Sequence, residues 1–155
     1  MHIDPIIDLT WARITFYKEQ NKNIMKLTIP FYLHKVGAGF PSPATDYIED
    51  DIDLNSHLIT NAPATFIIRV QGKSMTNVGI YDGDLLIVDK SLNPKNFSTV
   101  IANVNEELVV KTLIKSKETN YLTSGSKNTS DRINLTDNPE IIIWGVVTYV
   151  IHKQQ

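Results

Sequence analysis

The segment TVIANVNEELVVKTLI, residues 99–114, decides the fold of this chain. Two runs rich in branched apolar residues, Thr99–Val104 and Glu107–Ile114, flank the polar pair Asn105 and Glu106. Such runs on either side of a two-residue polar link are typical of a β-hairpin. We therefore predict two adjacent antiparallel strands in the second half of the chain.

Short apolar runs between turn residues continue on both sides of this hairpin. Strands are predicted over Thr65–Gln71, over Asp84–Asp89 after a tight turn at Asp82-Gly83, and over Ile141–Ile151. We expect the last of these to be a buried closing strand, bent at Gly145. Strands of this length at regular spacing predict a mainly β fold, built as a small curled β-sheet domain.

The first 38 residues lack a strong hydrophobic period, and we predict an N-terminal arm at 1–38 ahead of a β-rich domain at 39–155. Thr10–Lys22 has the composition of a short helix, and residues 1–24 could be an upstream extension. The segment VGAGFPSPA at 36–44 fits either a flexible linker or an extended strand lying in a groove. The acidic run in Tyr47–Leu58 is expected to form a short helix or a turn with a solvated face.

Composition narrows the class of protein. The 155 residues suffice for one domain with a real core. A formal net charge of −2 argues against binding of nucleic acid through an extended basic surface. The absence of cysteine excludes disulfides and thiolate chemistry. The longest apolar run, Ile141–Ile151, falls short of the ~20 residues that span a bilayer. We expect a cytoplasmic protein.

Ser74, in the tetrapeptide Gly72–Met75, and Lys111 are candidates for a catalytic pair. A serine hydroxyl needs a base within hydrogen-bond reach, and a lysine can be that base only when it is neutral. Val109 and Leu113 would share the strand face of Lys111, and apolar neighbours disfavour its charged form. The alternative is a chance tetrapeptide and an edge lysine with its charge in water.

Three motifs stand in one order: Ala38-Gly39 ahead of FPSPA, Ser74 in GKSM, and Lys111 in VVK. Together with DGDLLIVD at 82–89, they resemble the LexA-like self-cleaving serine peptidase family, closest to its UmuD branch. The similarity runs from about Gly39 to Val150. It implies a LexA/signal-peptidase-like curled β-sheet domain, usually a homodimer, with an arm folded across the active site.

The resemblance also implies roles for individual residues. Ser74 would be the nucleophile and Lys111 the general base, and Ala38–Gly39 would be the cleavage site. The backbone amides of Lys73 and Ser74 would form the oxyanion hole. Cleavage would be stimulated by the RecA–single-stranded DNA filament in the SOS response. The trimmed dimer would then join a UmuC-like polymerase subunit for error-prone translesion synthesis, with no cofactor or metal and little direct contact with nucleic acid.

Other functions remain as alternatives. A LexA-type or phage-type repressor needs a DNA-binding module of about sixty residues ahead of the cleavage site, and 38 are present. Signal peptidases share the chemistry but need an apolar membrane helix. A dimeric adaptor that does not cleave is a third alternative, because a role with the polymerase would need only its binding surface. The Gly-x-Ser-x-Gly elbow is absent, and the four histidines show no metal-ligand spacing; they are His2, His34, His57 and His152.

Overall fold

The structure is a computed structural model that describes residues 28–32, 48–125 and 131–154. The described chain divides between residues 60 and 61 into two compact units. The first unit contains strand β1, Thr28–Tyr32, which pairs antiparallel with β2, Ile48–Asp53, followed by helix α1, Leu54–Leu58. Asp53 begins α1 as its N-cap, because its carboxylate accepts the amide of Asn55 at 3.0 Å.

The second unit is an antiparallel sheet of seven strands in the order β3-β4-β9-β5-β6-β7-β8. A 3₁₀ helix at Ala62–Ala64 precedes β3, and a second at Thr76–Val78 lies between β3 and β4. The strands are β3 Thr65–Arg69, β4 Leu85–Asp89, β5 Thr99–Val104, β6 Glu107–Lys115, β7 Asn120–Thr123, β8 Ile133–Asn134 and β9 Ile142–Ile151. The mainly β fold class is confirmed.

The predicted hairpin is present as β5 and β6. Val104 pairs with Glu107, which leaves Asn105 and Glu106 as a two-residue loop with φ values of +51° and +67°. Both residues adopt the left-handed backbone conformation. A two-residue hairpin turn that matches the twist of its strands requires this conformation. The two-residue loop is therefore consistent with the register that the local pattern predicts.

Strand β9 lies between β4 and β5, and its pairing with β5 is interrupted at one residue. Ile101 pairs with Gly145 and Ala102 with Ile143, so Trp144 bulges out next to the predicted bend. A Cβ on Gly145 would lie 2.7 Å from a methyl carbon of Val88. Glycine is needed there because the two strands approach too closely for a side chain.

Two apolar clusters cover the two faces of this sheet. The first contains the buried residues Ile68, Val70, Met75, Ile80, Leu86, Val88 and Ile101. The second contains the buried residues Val100, Ala102, Leu113 and Leu122. Alternation along β5 sends Ile101 to the first cluster and its two neighbours to the second. Both faces of the central strands are therefore buried.

Two details of the expected secondary structure are wrong. The acidic run was expected as a helix or turn, but Ile48–Asp53 is a strand, because it pairs with β1, and the helix follows it. The closing strand was expected to be buried, yet Tyr149, Val150 and Ile151 are exposed. Their end of β9 pairs with β4 but lies beyond its pairing with β5. The predicted helix Thr10–Lys22 falls outside the described residues.

Candidate active site

Ser74 lies in the connection between β3 and β4, where the chain leaves the sheet and returns. Val70 and Asp84 close this connection, since the amide of Val70 donates to the carbonyl of Asp84 at 2.8 Å. The buried side chain of Met75 packs in the first apolar cluster directly after the serine. Its carbonyl accepts the amides of Val78 at 3.1 Å and Ile80 at 3.2 Å. The buried Met75 therefore fixes the start of a short turn. Ser74, directly before it, is exposed.

The backbone amides of Lys73 and Ser74 are the groups predicted to form the oxyanion hole. The carbonyl of Lys73 accepts the amide of Thr76 at 3.3 Å and its hydroxyl at 3.0 Å. Within the described chain, neither the amide of Lys73 nor that of Ser74 donates a hydrogen bond. Unpaired amides next to a nucleophile can stabilise a developing oxyanion.

Two aspartates fix the ends of the connection. Asp82 accepts the amide of Gly72 at 2.7 Å, and Gly72 has a φ of +100° that favours glycine. Asp84 is buried; one of its oxygens accepts the amide of Tyr81 at 2.8 Å, and the other lies 2.6 Å from Nδ1 of His152. These contacts were missed from the sequence, which assigned no special role to the histidine. They connect residues that only the folded chain brings together.

Lys111 lies in the middle of β6, one residue before the part of the strand that pairs with β7. Val100 of β5 is its register partner. Val109 and Leu113 both pack in the second apolar cluster, so Lys111 shares their face of the strand. Its side chain is half-buried. The strand predicted for this lysine is confirmed, with the same neighbours on its face.

An aspartate that sequence reasoning missed lies beyond the end of β7. Asp131 accepts the amide of Ser124 at 2.9 Å and the hydroxyl of Thr123 at 3.1 Å, and it also accepts the hydroxyl of Ser124. The Ser124 hydroxyl holds the pKa of Asp131 below its usual range, helped by the Ser124 amide, the Thr123 hydroxyl and the charge of Lys111, against desolvation. Asp131 is therefore ionised at neutral pH.

The turn that carries Ser74 and the strand that carries Lys111 are linked through the end of β7. A Cβ built on Gly125 would lie 2.5 Å from a methyl carbon of Val78, so these two residues are in close contact. Two residues before Gly125, Thr123 pairs with Thr112 of β6, the neighbour of Lys111. No hydrogen bond joins the Ser74 hydroxyl to the Lys111 amine among the described residues.

The rest of the predicted site has no structural description. Ala38 and Gly39, the predicted cleavage site, lie outside the described residues, as does the predicted boundary between arm and domain. The roles of Ser74, Lys111 and the two amides stay predictions. No helix in the described ranges is long and apolar enough to cross a membrane.

Comparison with known proteins identifies the family. The model of the Peptidase S24-like family matches residues 30–148. Protein ImpA of Salmonella typhimurium is 42% identical over 124 residues, which cover 80% of this chain and 83% of the relative. Protein MucA of Escherichia coli is 38% identical over 122 residues, covering 79% of this chain and 83% of the relative.

A repressor is also similar, but over a smaller part of its length. The LexA repressor of Haemophilus ducreyi is 36% identical over 110 residues, 71% of this chain and 51% of the repressor. The UmuD-like relatives match over most of both chains, which supports the UmuD-like interpretation over the repressor. The chain belongs to the Peptidase S24-like family and, within it, groups with the UmuD-like proteins.

Proposed function

We propose that this chain cuts its own Ala38–Gly39 bond, with Ser74 as nucleophile and Lys111 as general base. Membership of the Peptidase S24-like family supports a self-cleaving serine peptidase in general terms. The assignment to these particular residues is the finer step. No histidine or cysteine partner is needed, because a neutral amine can itself take the proton from a serine hydroxyl.

One contact of the fold carries the assignment. Val78, in the turn that follows Ser74, meets Gly125, just past the end of β7. The last residue of β7 pairs with the neighbour of Lys111. The exposed serine and the half-buried lysine therefore belong to segments that are linked through the end of β7, which supports the pairing.

The reaction is an acyl transfer in two steps. Neutral Lys111 takes the proton of Ser74, whose Oγ attacks the carbonyl carbon of Ala38. The oxyanion is held by the amides of Lys73 and Ser74. When the intermediate collapses, the proton passes from Lys111 to the departing amine of Gly39. Lys111 then takes a proton from water, the resulting hydroxide attacks the ester carbonyl, and Lys111 gives that proton to the departing Oγ of Ser74.

Tethering the substrate to the enzyme favours the reaction. The substrate is part of the same polypeptide, so the encounter of two molecules is replaced by placement of the arm, which raises the effective concentration. Anything that favours the docked arm accelerates cleavage. A RecA filament on single-stranded DNA would act at this step, and the trimmed homodimer would then bind a UmuC-like polymerase subunit during translesion synthesis.

Self-cleavage is tested by incubating the purified chain at mildly alkaline pH, where more of the lysine is neutral. Intact mass should reveal a fragment that begins at Gly39 and has 117 residues, which is 155 less the 38 of the arm. Ser74→Ala and Lys111→Ala should each slow its formation at least about a thousandfold. Lys117→Ala, which removes an exposed charge from the β6–β7 turn, is the control and should cleave like the parent.

Two outcomes would contradict the proposal. Normal cleavage by Lys111→Ala would exclude the lysine as the base. No fragment from the parent chain, even with RecA filaments present, would favour the adaptor that does not cleave.

A further inference from the structure

The connection that carries Ser74 is held on both sides of the serine by its own last part, residues 80–84, which we call the return segment. Before the serine, the amide of Gly72 donates to the carboxylate of Asp82 at 2.7 Å. After the serine, the carbonyl of Met75 accepts the first amide of the return segment at 3.2 Å. The place of the nucleophile therefore depends on where the return segment lies.

His152 reaches the return segment from the end of β9. Ile151, the last residue of this strand, pairs with Leu85 of β4. In the next residue, Nδ1 of His152 lies 2.6 Å from one carboxylate oxygen of Asp84. The imidazole also packs against the ring of Tyr81, with the two ring centroids 5.1 Å apart. His152 thus contacts two residues of the return segment, although it belongs to a different element of the fold.

Asp84 transmits this contact to the backbone of the return segment. Its second carboxylate oxygen accepts the amide of Tyr81 at 2.8 Å, and its own amide donates to the carbonyl of Tyr81 at 3.2 Å. The side chain of Asp84 is only 2% exposed, whereas that of His152 is 42% exposed. A buried carboxylate needs hydrogen-bond donors in place of water, so the histidine both satisfies Asp84 and fixes its orientation.

This contact does not require a charged histidine. The carboxylate of Asp84 is the acceptor, and an imidazole donates from Nδ1 both when it is doubly protonated and in its neutral Nδ1–H tautomer. The hydrogen bond is therefore available at the mildly alkaline pH at which self-cleavage is measured.

We infer that His152 is a positioning residue for self-cleavage. Through Asp84 and Tyr81 it fixes the return segment, and the return segment fixes the two sides of Ser74. A small displacement of a nucleophile costs rate even when the fold is retained. This inference rests on the proposed function, since it concerns the placement of the same serine.

Single-turnover rates of self-cleavage in variants of His152 test the inference. His152→Ala removes both the donor and the ring, and it should slow cleavage about tenfold. His152→Asn keeps a donor near the position of Nδ1 and should cleave within about threefold of the parent. His152→Phe keeps a ring without the donor and should be as slow as His152→Ala. Lys153→Ala changes the exposed neighbour and should cleave like the parent.

A double-mutant cycle tests whether His152 acts through Asp84. In Asp84→Asn the side-chain oxygen can still accept the amide of Tyr81, but the carboxylate oxygen that faces the imidazole is lost. Adding His152→Ala to this variant should slow cleavage about twofold or less, compared with about tenfold in the parent, because both substitutions remove the same contact. Urea unfolding of each variant ensures that only folded proteins are compared.

Three outcomes would overturn the inference and leave the proposed function intact. The first is a parental cleavage rate in His152→Ala. The second is equal slowing in His152→Asn and His152→Ala, because the donor would then be unimportant. The third is full additivity in the cycle, because His152 would then act independently of Asp84. Absence of cleavage by the parent chain under every condition would instead contradict the proposed function.

Discussion

The turn that carries Ser74 and the strand that carries Lys111 are held in place by different interactions. The turn combines a few local backbone hydrogen bonds with two side-chain contacts, in which Asp82 accepts the amide of Gly72 and Asp84 accepts that of Tyr81. The strand β6 is paired along its backbone with β5 and with β7. Replacement of one carboxylate can therefore displace the turn, whereas no single side chain sets the position of the strand.

Asp84→Ala should have the largest effect on stability. Asp84 is 3% exposed, and its loss leaves the Tyr81 amide without its acceptor and His152 without its partner. We expect the free energy of unfolding to fall by about 2–3 kcal/mol, because a partly buried donor loses its bond to a buried carboxylate. Urea unfolding of Asp84→Ala beside Asp84→Asn checks this, since asparagine keeps an acceptor for the amide and should lose less. Equal losses would mean that the acceptor is unimportant.

Asp82→Ala should affect cleavage more than stability. Its hydrogen bond to Gly72 is exposed, so the free energy of unfolding should change by about 1 kcal/mol or less. Gly72 lies two residues before Ser74, and a misplaced nucleophile costs rate, so cleavage should slow about tenfold. Single-turnover cleavage rates measure this. Asp82→Asn keeps an acceptor oxygen and should remain close to the parent; a rate for Asp82→Ala equal to that of the parent would show that the turn holds without this bond.

Thr112→Val should produce the smallest change, and in the opposite direction. Among the residues that the structure describes, the buried hydroxyl of Thr112 has no hydrogen-bond partner, and valine has the same shape without the polar atom. The free energy of unfolding should rise by about 1 kcal/mol. Thr123→Val is the matched control, because this threonine is paired with Thr112 and its hydroxyl binds both Asp131 and the amide of Gly125. It should destabilise, and a loss in both variants would contradict the assignment of Thr112.

Local patterns in the sequence were enough to predict much of the sheet. Branched apolar runs around Asn105 and Glu106 predict the β5–β6 hairpin, and Gly145 predicts the disturbed pairing of β9. Alternation along β6 predicts which residues share a face with Lys111. These features follow from rules that act between residues close in sequence, so they can be predicted from the sequence without the structure.

Other features could not be predicted because they join distant residues. The strand at 48–53 carries acidic residues that suggest a helix or turn, and pairing with β1 overrides that preference. The exposed end of β9 has the composition of a buried strand, and exposure depends on which neighbours cover it. Asp131 appeared to be an ordinary polar loop residue, since contacts over seven or more residues leave no periodic signal.

The sequence by itself determined the strand pattern, the motifs around Ser74 and Lys111, and the resemblance to a family of self-cleaving peptidases. Only the tertiary structure decided that β9 lies between β4 and β5, that His152 reaches the buried Asp84, and that Asp131 binds Thr123 and Ser124 at the end of β7. The physical reason is the range of the forces involved. Backbone propensity and side-chain alternation act locally, whereas burial and charge depend on what the folded chain brings together.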